Sequence, residues 1–267
     1  MLHLQIFYII LPKPNTNINN MNIKAKDFFK DYNAVDSSYE LSPEFIDGAI
    51  SMADSMACAS SLGAYVFDYS KRAVVYVSPN IASWCNLQQS DIMANGCDAY
   101  LKYINEKDLL MLQDINQAAF KFFKKLPDEE SINYVVSYDF RYGQLMVNQH
   151  YRPVVVKDGN VMMAVCVVSL SSSKESGNIV MNSPKSKYAY EYSTELKKWI
   201  KKKKTHLTDK ERGIIRLSIQ GLNTEQIAEA THTKATTIKT QKKNLFQKLN
   251  VHSMPEAIRQ AMNNGLL

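Results

Sequence analysis

The sequence predicts two folded units, an α+β domain built on an antiparallel sheet with helices on one face and a separate all-α four-helix domain at the carboxyl end. Three observations lead there. Residues 207–267 carry four amphipathic helix patterns, three of them with start signals. Upstream, aromatic and β-branched runs at 63–69, 73–78, 133–142, 145–156 and 160–170 read as five strands, with helical material between the second and the third. The chain of 267 residues exceeds one small domain while the helical unit takes only its last quarter, so a second core is required. A hydrophobic content of 45% is that of a globular chain and excludes a largely disordered one.

Residues 1–40 read as an N-terminal extension. The run HLQIFYIIL is about nine residues long, too short to cross a bilayer, and it lacks the basic flank and small-residue cleavage site of a secretory signal. Because LPKPNTNINN is turn-rich, translation is expected to begin at Met21. An amphipathic entry follows with Phe28 and Phe29, then a helix over 41–57. GAYVFDY and AVVYVS form a first hairpin around Ser-Lys-Arg, 81–87 is helical, 90–96 is a loop, and Leu109, Leu112, Ile115, Ala119 and Phe122 mark a helix over about 106–125. Gly143 and Lys-Asp-Gly-Asn join the last three strands. The α+β domain is thereby bounded at 41–172.

Residues 173–204 read as a linker and connecting helix. Ser, Asn and Lys, with Gly177 and Pro184, predict a flexible connector over 171–186. Tyr188, Tyr192, Leu196 and Trp199, spaced four, four and three apart, predict a helix over 188–204 suited to a partner helix or to the protein's own domains. Lys201 to Lys204 would then be either a solvated run or added phosphate contacts.

In the terminal domain, 205–267, Thr208 with Glu211 forms a capping box. Ile214, Ile215, Leu217 and Ile219 supply the buried stripe, and Gly221 ends the helix. Asn223 with Gln226 opens a short second helix bearing Ile227 and Ala228, and residues 231–233 make a tight turn. The third helix, about 234–249, turns Ile238, Leu245 and Leu249 inward. Thr236, Lys239, Thr240, Lys243 and Gln247 share the far side, and no carboxylate lies between Lys234 and Val251. Ser253 with Glu256 caps the fourth helix, whose apolar face is Ile258, Ala261 and Met262. Two helices joined by a tight turn, the second basic, make the helix-turn-helix geometry that sets a recognition helix in the major groove. Charge agrees: residues 195–267 hold fifteen Lys or Arg against six Asp or Glu, a net +9, and 1–194 hold seventeen against twenty, a net −3.

The motifs LT-x-x-E-R, G-L-N-x-x-x-I-A, T-I-K-x-x-x-x-N-L-x-x-K-L and E-A-x-x-x-A-x-x-x-G-L-L make the last sixty or so residues similar to the LuxR-type helix-turn-helix. That resemblance implies base contacts from Lys239, Thr240 and Lys243, and DNA-backbone contacts from Thr224, Thr237 and Lys242, with Thr236 joining them from the same stripe. The family usually has Ser at Lys234, Leu at Ala230 and His at Gln241. Losing the Ser costs on the order of 1 kcal/mol of capping unless Thr233 takes the role, and losing the Leu removes a buried side chain from the second helix. Residues 60–170, through FDYSKRAVVYVSPNIASWCNL and YLKYINEKDLLML with Asn105, Glu106 and Asp108 in a turn, resemble a PAS domain. The predicted fold class is thus an antiparallel PAS-like sheet with helices on one face plus a separate all-α four-helix helix-turn-helix domain.

What the PAS-like domain binds is left unknown, with neither a haem nor a flavin signature. The flavin-photoadduct stretch Asn-Cys-Arg-Phe-Leu-Gln is absent, the helix at 106–125 holds no axial His, and His150 reads as an ordinary strand residue. Tyr65, Phe67, Trp84, Tyr100, Tyr138 and Phe140 are candidate pocket or core aromatics. Cys58, Cys85, Cys97 and Cys166 are scattered and read as reduced, mostly buried thiols. There is no phosphate loop, metal cluster or ordered catalytic set, so no enzyme is expected. The expected protein is a cytoplasmic regulator of transcription that binds double-stranded DNA as a homodimer, with RNA polymerase a further partner class and no membrane contact. Its PAS-like domain senses a signal or mediates dimerisation. The alternative is a constitutive assembly protein whose PAS-like domain binds a protein partner.

Overall fold

The computed structural model describes residues 33, 35, 39–85, 87–263 and 265–267, with the side chains of 95–100 and 263 outside the description. The readings of the apolar N-terminal run, of Met21 and of Phe28 and Phe29 lie outside the described residues, as do the side chains of Cys97 and Tyr100. The chain divides between Lys202 and Lys203 into two compact units.

In the first unit the order is α1 (Pro43–Cys58), β1 (Gly63–Asp68), β2 (Ala73–Val77), α2 (Pro79–Cys85), α3 (Gln89–Leu101), α4 (Glu106–Phe123), α5 (Asp128–Ser131), β3 (Val135–Tyr142), β4 (Leu145–Lys157), β5 (Asn160–Leu170), β6 (Gly177–Asn182), β7 (Tyr188–Ser193) and β8 (Lys198–Lys203). The strands form one eight-stranded sheet ordered β2-β1-β5-β4-β3-β6-β7-β8. Every pairing with a defined register is antiparallel. Its first five members make the PAS-like α+β arrangement that the strand pattern predicts.

Alternation along β1 and β5 decides what covers each face. Phe67, Ala164, Cys166 and Val168 enter the main core with Ile81, Ile92, Leu109, Leu112, Ile115, Phe120 and Phe123, so α2, α3 and α4 lie on that face. Ala64, Val66, Met163 and Val165 point the other way, against Ala49, Ala53 and Ala57 of α1. Helices therefore cover one face as expected, and α1 adds a cover on the second. Its contact side is alanine at every fourth position, which lets a helix lie close to a sheet. Gly63 serves a similar close approach, since a Cβ there would stand 2.5 Å from Ile81 Cγ1.

Three sequence expectations are corrected. The loop over 90–96 is part of α3, whose Ile92 is 1% exposed. The flexible connector over 171–186 contains β6, paired with β3 through Val135↔Asn182 and Val136↔Met181. The connecting helix over 188–204 is instead β7 and β8. Tyr188, Tyr190 and Tyr192 recur every second residue, and the strand period places Tyr190 against Phe122 and Tyr192 against Trp199, with ring centroids 4.8 and 5.1 Å apart. Trp199 Nε1 donates to the Ala118 carbonyl at 3.1 Å, and Lys197 pairs with Asp114 at 3.1 Å. The outer side of α4 thus carries the added ribbon.

The second unit holds α6 (Asp209–Ile219), α7 (Thr224–Ala230), α8 (Ala235–Leu249) and α9 (Met254–Asn263) around Leu207, Ile214, Ile215, Ile227, Ala228, Ile238, Leu245, Leu249, Ala257 and Ala261. Both predicted capping boxes at its first two helices are formed. Gly221, at φ +86°, closes α6 by donating to Ser218 while Leu222 donates to Leu217. Ile219 and Met262, expected in the core, are 48% and 63% exposed. Ala230 lies at the surface, so the missing leucine leaves no cavity there. Lys234 rather than Thr233 is the N-cap of α8, without a side-chain bond, because the Thr233 hydroxyl is engaged with that of Thr231 at 2.9 Å.

Ala53 is fully buried between α1 and the sheet. Ala53→Leu should overpack that contact and cost about 1 to 3 kcal/mol, read as a lower urea midpoint, while Ser51→Leu on the exposed side should leave the midpoint in place.

Candidate nucleic-acid interface

On α8, burial of Ile238, Leu245 and Leu249 fixes the rotation of the helix. At 3.6 residues per turn, Thr236, Thr240, Lys243 and Gln247 fall within about 60° of one another on the side opposite those three, with Lys239 just beside them. All five are exposed. The predicted base-contacting set, Lys239, Thr240 and Lys243, thus shares one outward stripe. Thr237 is exposed on one flank, in the first turn.

Lys242 is half-buried on the other flank, where its ammonium donates to Thr224 Oγ1 at 3.2 Å. Thr224 is the first residue of α7, where helix N–H groups and the macrodipole favour an anion. Two of the four predicted backbone-contacting residues, Thr224 and Lys242, are therefore brought together, at the border of α7 and α8. Lys239, Lys242, Lys243, Phe246, Gln247, Asn250 and His252 line an open groove that continues the stripe to the end of α8.

Two features escaped the sequence. Glu225 of α7 stands 4.0 Å from the Lys239 ammonium, both about two-thirds exposed. The acid-free character of α8 is thus tempered by a carboxylate from its neighbour, in a pair that contributes little to stability. Thr240 spends its hydroxyl proton on the Thr236 carbonyl at 3.1 Å, leaving its oxygen lone pairs and methyl for a base edge. The nearest sequence signal for either was spacing, since Glu225 sits two residues into α7 and Thr236 and Thr240 are four apart.

The α6 capping box also does more than cap. Glu211 Oε2 accepts from the Thr208 amide at 2.7 Å and from Lys248 at 2.8 Å, tying α6 to the last turn of α8. Partial burial works to raise the Glu211 carboxyl, but Lys248 and Thr208 outweigh it and hold the group below its ordinary range.

In the PAS-like domain a cavity of about 80 Å³ opens between the sheet and α2 to α4. Four of the six aromatics singled out from sequence, Tyr65, Phe67, Tyr138 and Phe140, line it, together with Asn116, Gln149, Tyr151 and Cys166. Trp84 lines a smaller neighbouring void beside Cys85. The Gln149 amide bridges two phenols, accepting from Tyr65 at 3.1 Å and donating to Tyr138 at 2.5 Å. Tyr151, facing Tyr69, is buried without a well-formed hydrogen bond.

Burial pushes Tyr138 well above the usual phenol range and the Cys166 thiol up to about 12. These groups are neutral at physiological pH, and no ionised side chain lines the space. Burial likewise moves Cys85 up to about 11, whereas Cys58, one of the thiols read as mostly buried, is exposed. His150 points to the opposite sheet face from Gln149 and Tyr151, and burial lowers its pKa despite Asp139 nearby, so it is absent from the cavity wall. Among the described residues no cluster of three metal-ligating side chains occurs.

Residues 205–261 match the family model described as bacterial regulatory proteins, luxR family. No curated protein matches the chain. A phage VqmA in complex with DPO is similar at 14% identity over 84% of this chain and 88% of that one, with a TM-score of 0.33. A Rhodobacter sphaeroides LOV protein is similar at 11% identity over 50% of this chain and 70% of that one, with a TM-score of 0.37. A Vibrio cholerae VqmA bound to ligand and DNA is similar at 12% identity over 85% and 90%, with a TM-score of 0.29. At such scores these structural likenesses carry no functional conclusion.

Because its folded-state pKa is depressed, Glu211 contributes stability that is complete above the ordinary carboxyl value of 4.5 and is lost as pH falls through the folded value. Acid titration of urea unfolding should show the terminal domain weakening below that point, with a smaller pH dependence in Glu211→Gln.

Proposed function

We propose, proceeding from a LuxR-type helix-turn-helix over residues 205–261, that this protein is a sequence-specific DNA-binding regulator of transcription, cytoplasmic and homodimeric, whose PAS-like domain senses a small molecule. One observation carries the DNA-reading half, the outward stripe of Lys239, Thr240 and Lys243 on a helix whose other side is buried. Long cations suit guanine O6 and N7, and a threonine methyl suits thymine. Thr236, Thr237, Lys242 and Thr224 flank the stripe and would hold phosphates, setting register without reading sequence. Two heads related by a twofold axis read two half-sites of a pseudo-palindrome. Among the described residues no helix is long and apolar enough to cross a membrane.

The cavity supports the sensing half. Leu112 and Asn116 of α4 line it, while Asp114 and Ala118 on the other side of that helix hold Lys197 and Trp199. An occupant that shifts α4 would move β8, which runs directly into the DNA-binding domain. It can alter DNA affinity only by its own differential affinity for the two arrangements. Native mass spectrometry of the full chain should show a retained or titratable small molecule, and its absence would favour the assembly protein whose PAS-like domain binds a protein partner.

Lys243→Ala should weaken binding to the selected site by about 1 to 3 kcal/mol and relax preference at one base pair. Lys242→Ala should lower affinity for all duplexes alike and make the salt slope shallower by about one. Binding titrations on selected and unrelated duplexes separate these outcomes, and equal, sequence-independent losses would overturn the division of roles.

A further inference from the structure

Among the described residues, a second cationic surface lies on the β7–β8 ribbon and just beyond it. Lys197, Lys198, Lys201, Lys202, Lys203 and Lys204 fall within eight positions, and no carboxylate follows Glu195 until Asp209. β8 is the terminal strand of the sheet, so one line of its backbone N–H groups has no strand partner. Lys198, Lys201, Lys202 and Lys203 are exposed. Lys197 is paired with Asp114 and Lys202 with Glu191, and Lys201 sits 4.0 Å from the centroid of the Tyr188 ring. These contacts hold the cations along the ribbon without neutralising most of them.

Lysine on an edge strand is a common guard against edge-to-edge association. The number here, and its place in the chain, call for more. From Lys203 to Asp209, where α6 begins, there are six residue steps, which span at most about 20 Å when fully extended. A duplex advances about 3.4 Å per base pair. The end of β8 therefore stays within the length of about six base-pair steps of the start of α6, the first helix of the domain that carries α8.

We propose that the β7–β8 ribbon is a phosphate-binding surface for duplex DNA, on which Lys198, Lys201 and Lys203 neutralise backbone phosphates flanking the site read by α8. The proposal rests on the reading of α8 as a DNA-contacting helix. The ribbon contributes affinity and not sequence preference, since lysine on phosphate meets the same partner at every base pair.

The test compares the full-length protein with K198Q/K201Q/K203Q, on a duplex carrying a selected site and on an unrelated duplex, between about 50 and 200 mM salt. The triple variant should bind both duplexes more weakly by the same factor. Its slope of log affinity against log salt should be shallower by about 0.9 for each lost contact, up to about 3 in all. Glu191→Gln, which releases Lys202, should move the slope the other way by up to about one.

Unchanged slopes in both variants would overturn the proposal, and self-association of the triple variant would then assign the lysines to edge protection. If the wild-type protein selects a site but the slopes do not move, only the ribbon assignment falls. If the wild-type protein binds no duplex, the reading of α8 falls with it.

Discussion

Ile238, Leu245 and Leu249 can be buried together only if positions half a turn away on α8 face water, and this rotational constraint decides which side chains the helix presents. Burying three such side chains contributes roughly 1.5 to 3 kcal/mol each, far more than any surface ion pair could offset. The direction of Lys239, Thr240 and Lys243 is therefore set by apolar packing and not by their own contacts. The same packing brings Lys242 of α8 against Thr224 of α7. Glu211, bridging the Thr208 cap and Lys248, locks the rotation from the rear.

In the PAS-like domain α4 has the corresponding place. Its inner residues close a cavity without ionised groups and its outer residues hold the ribbon, so one rigid element is wall to both. Tight cores transmit displacement because they have few alternative packings. The cavity interrupts that density at one point, beside Gln149 and the poorly satisfied Tyr151 hydroxyl.

Much of this was legible from sequence where local signals and tertiary demands agree. Thr208 with Glu211 and Asn223 with Gln226 formed their boxes because both partners lie within one turn. The strands at 63–68 and 160–170 declared themselves by β-branched and aromatic residues. The ribbon was lost because Tyr188, Tyr192, Leu196 and Trp199 fit a helical period while Tyr188, Tyr190 and Tyr192 fit a strand period, and the choice rests on Phe122 and Ala118, more than 60 residues away. Ile219 and Met262 carried the right chemistry one step beyond the buried stripe, a shift that pattern alone does not resolve. The contact of Glu225 with Lys239 depends on how α7 crosses α8, which no residue in either helix announces.

With a strand in place of the expected connecting helix, the connection to the terminal domain is short. Leu207 is 4% exposed in the terminal core, its carbonyl accepts from Arg212 at 2.8 Å, and Thr208 is already the cap of α6. β8 ends at Lys203, so the connection proper is Lys204, Thr205 and His206. Three residues close little conformational space compared with a long linker, and the entropy of fixing them grows only slowly with length. The strand thus carries the exposed Lys198, Lys201, Lys202 and Lys203 at the edge of the sheet, close in sequence to the first buried residue of the terminal core.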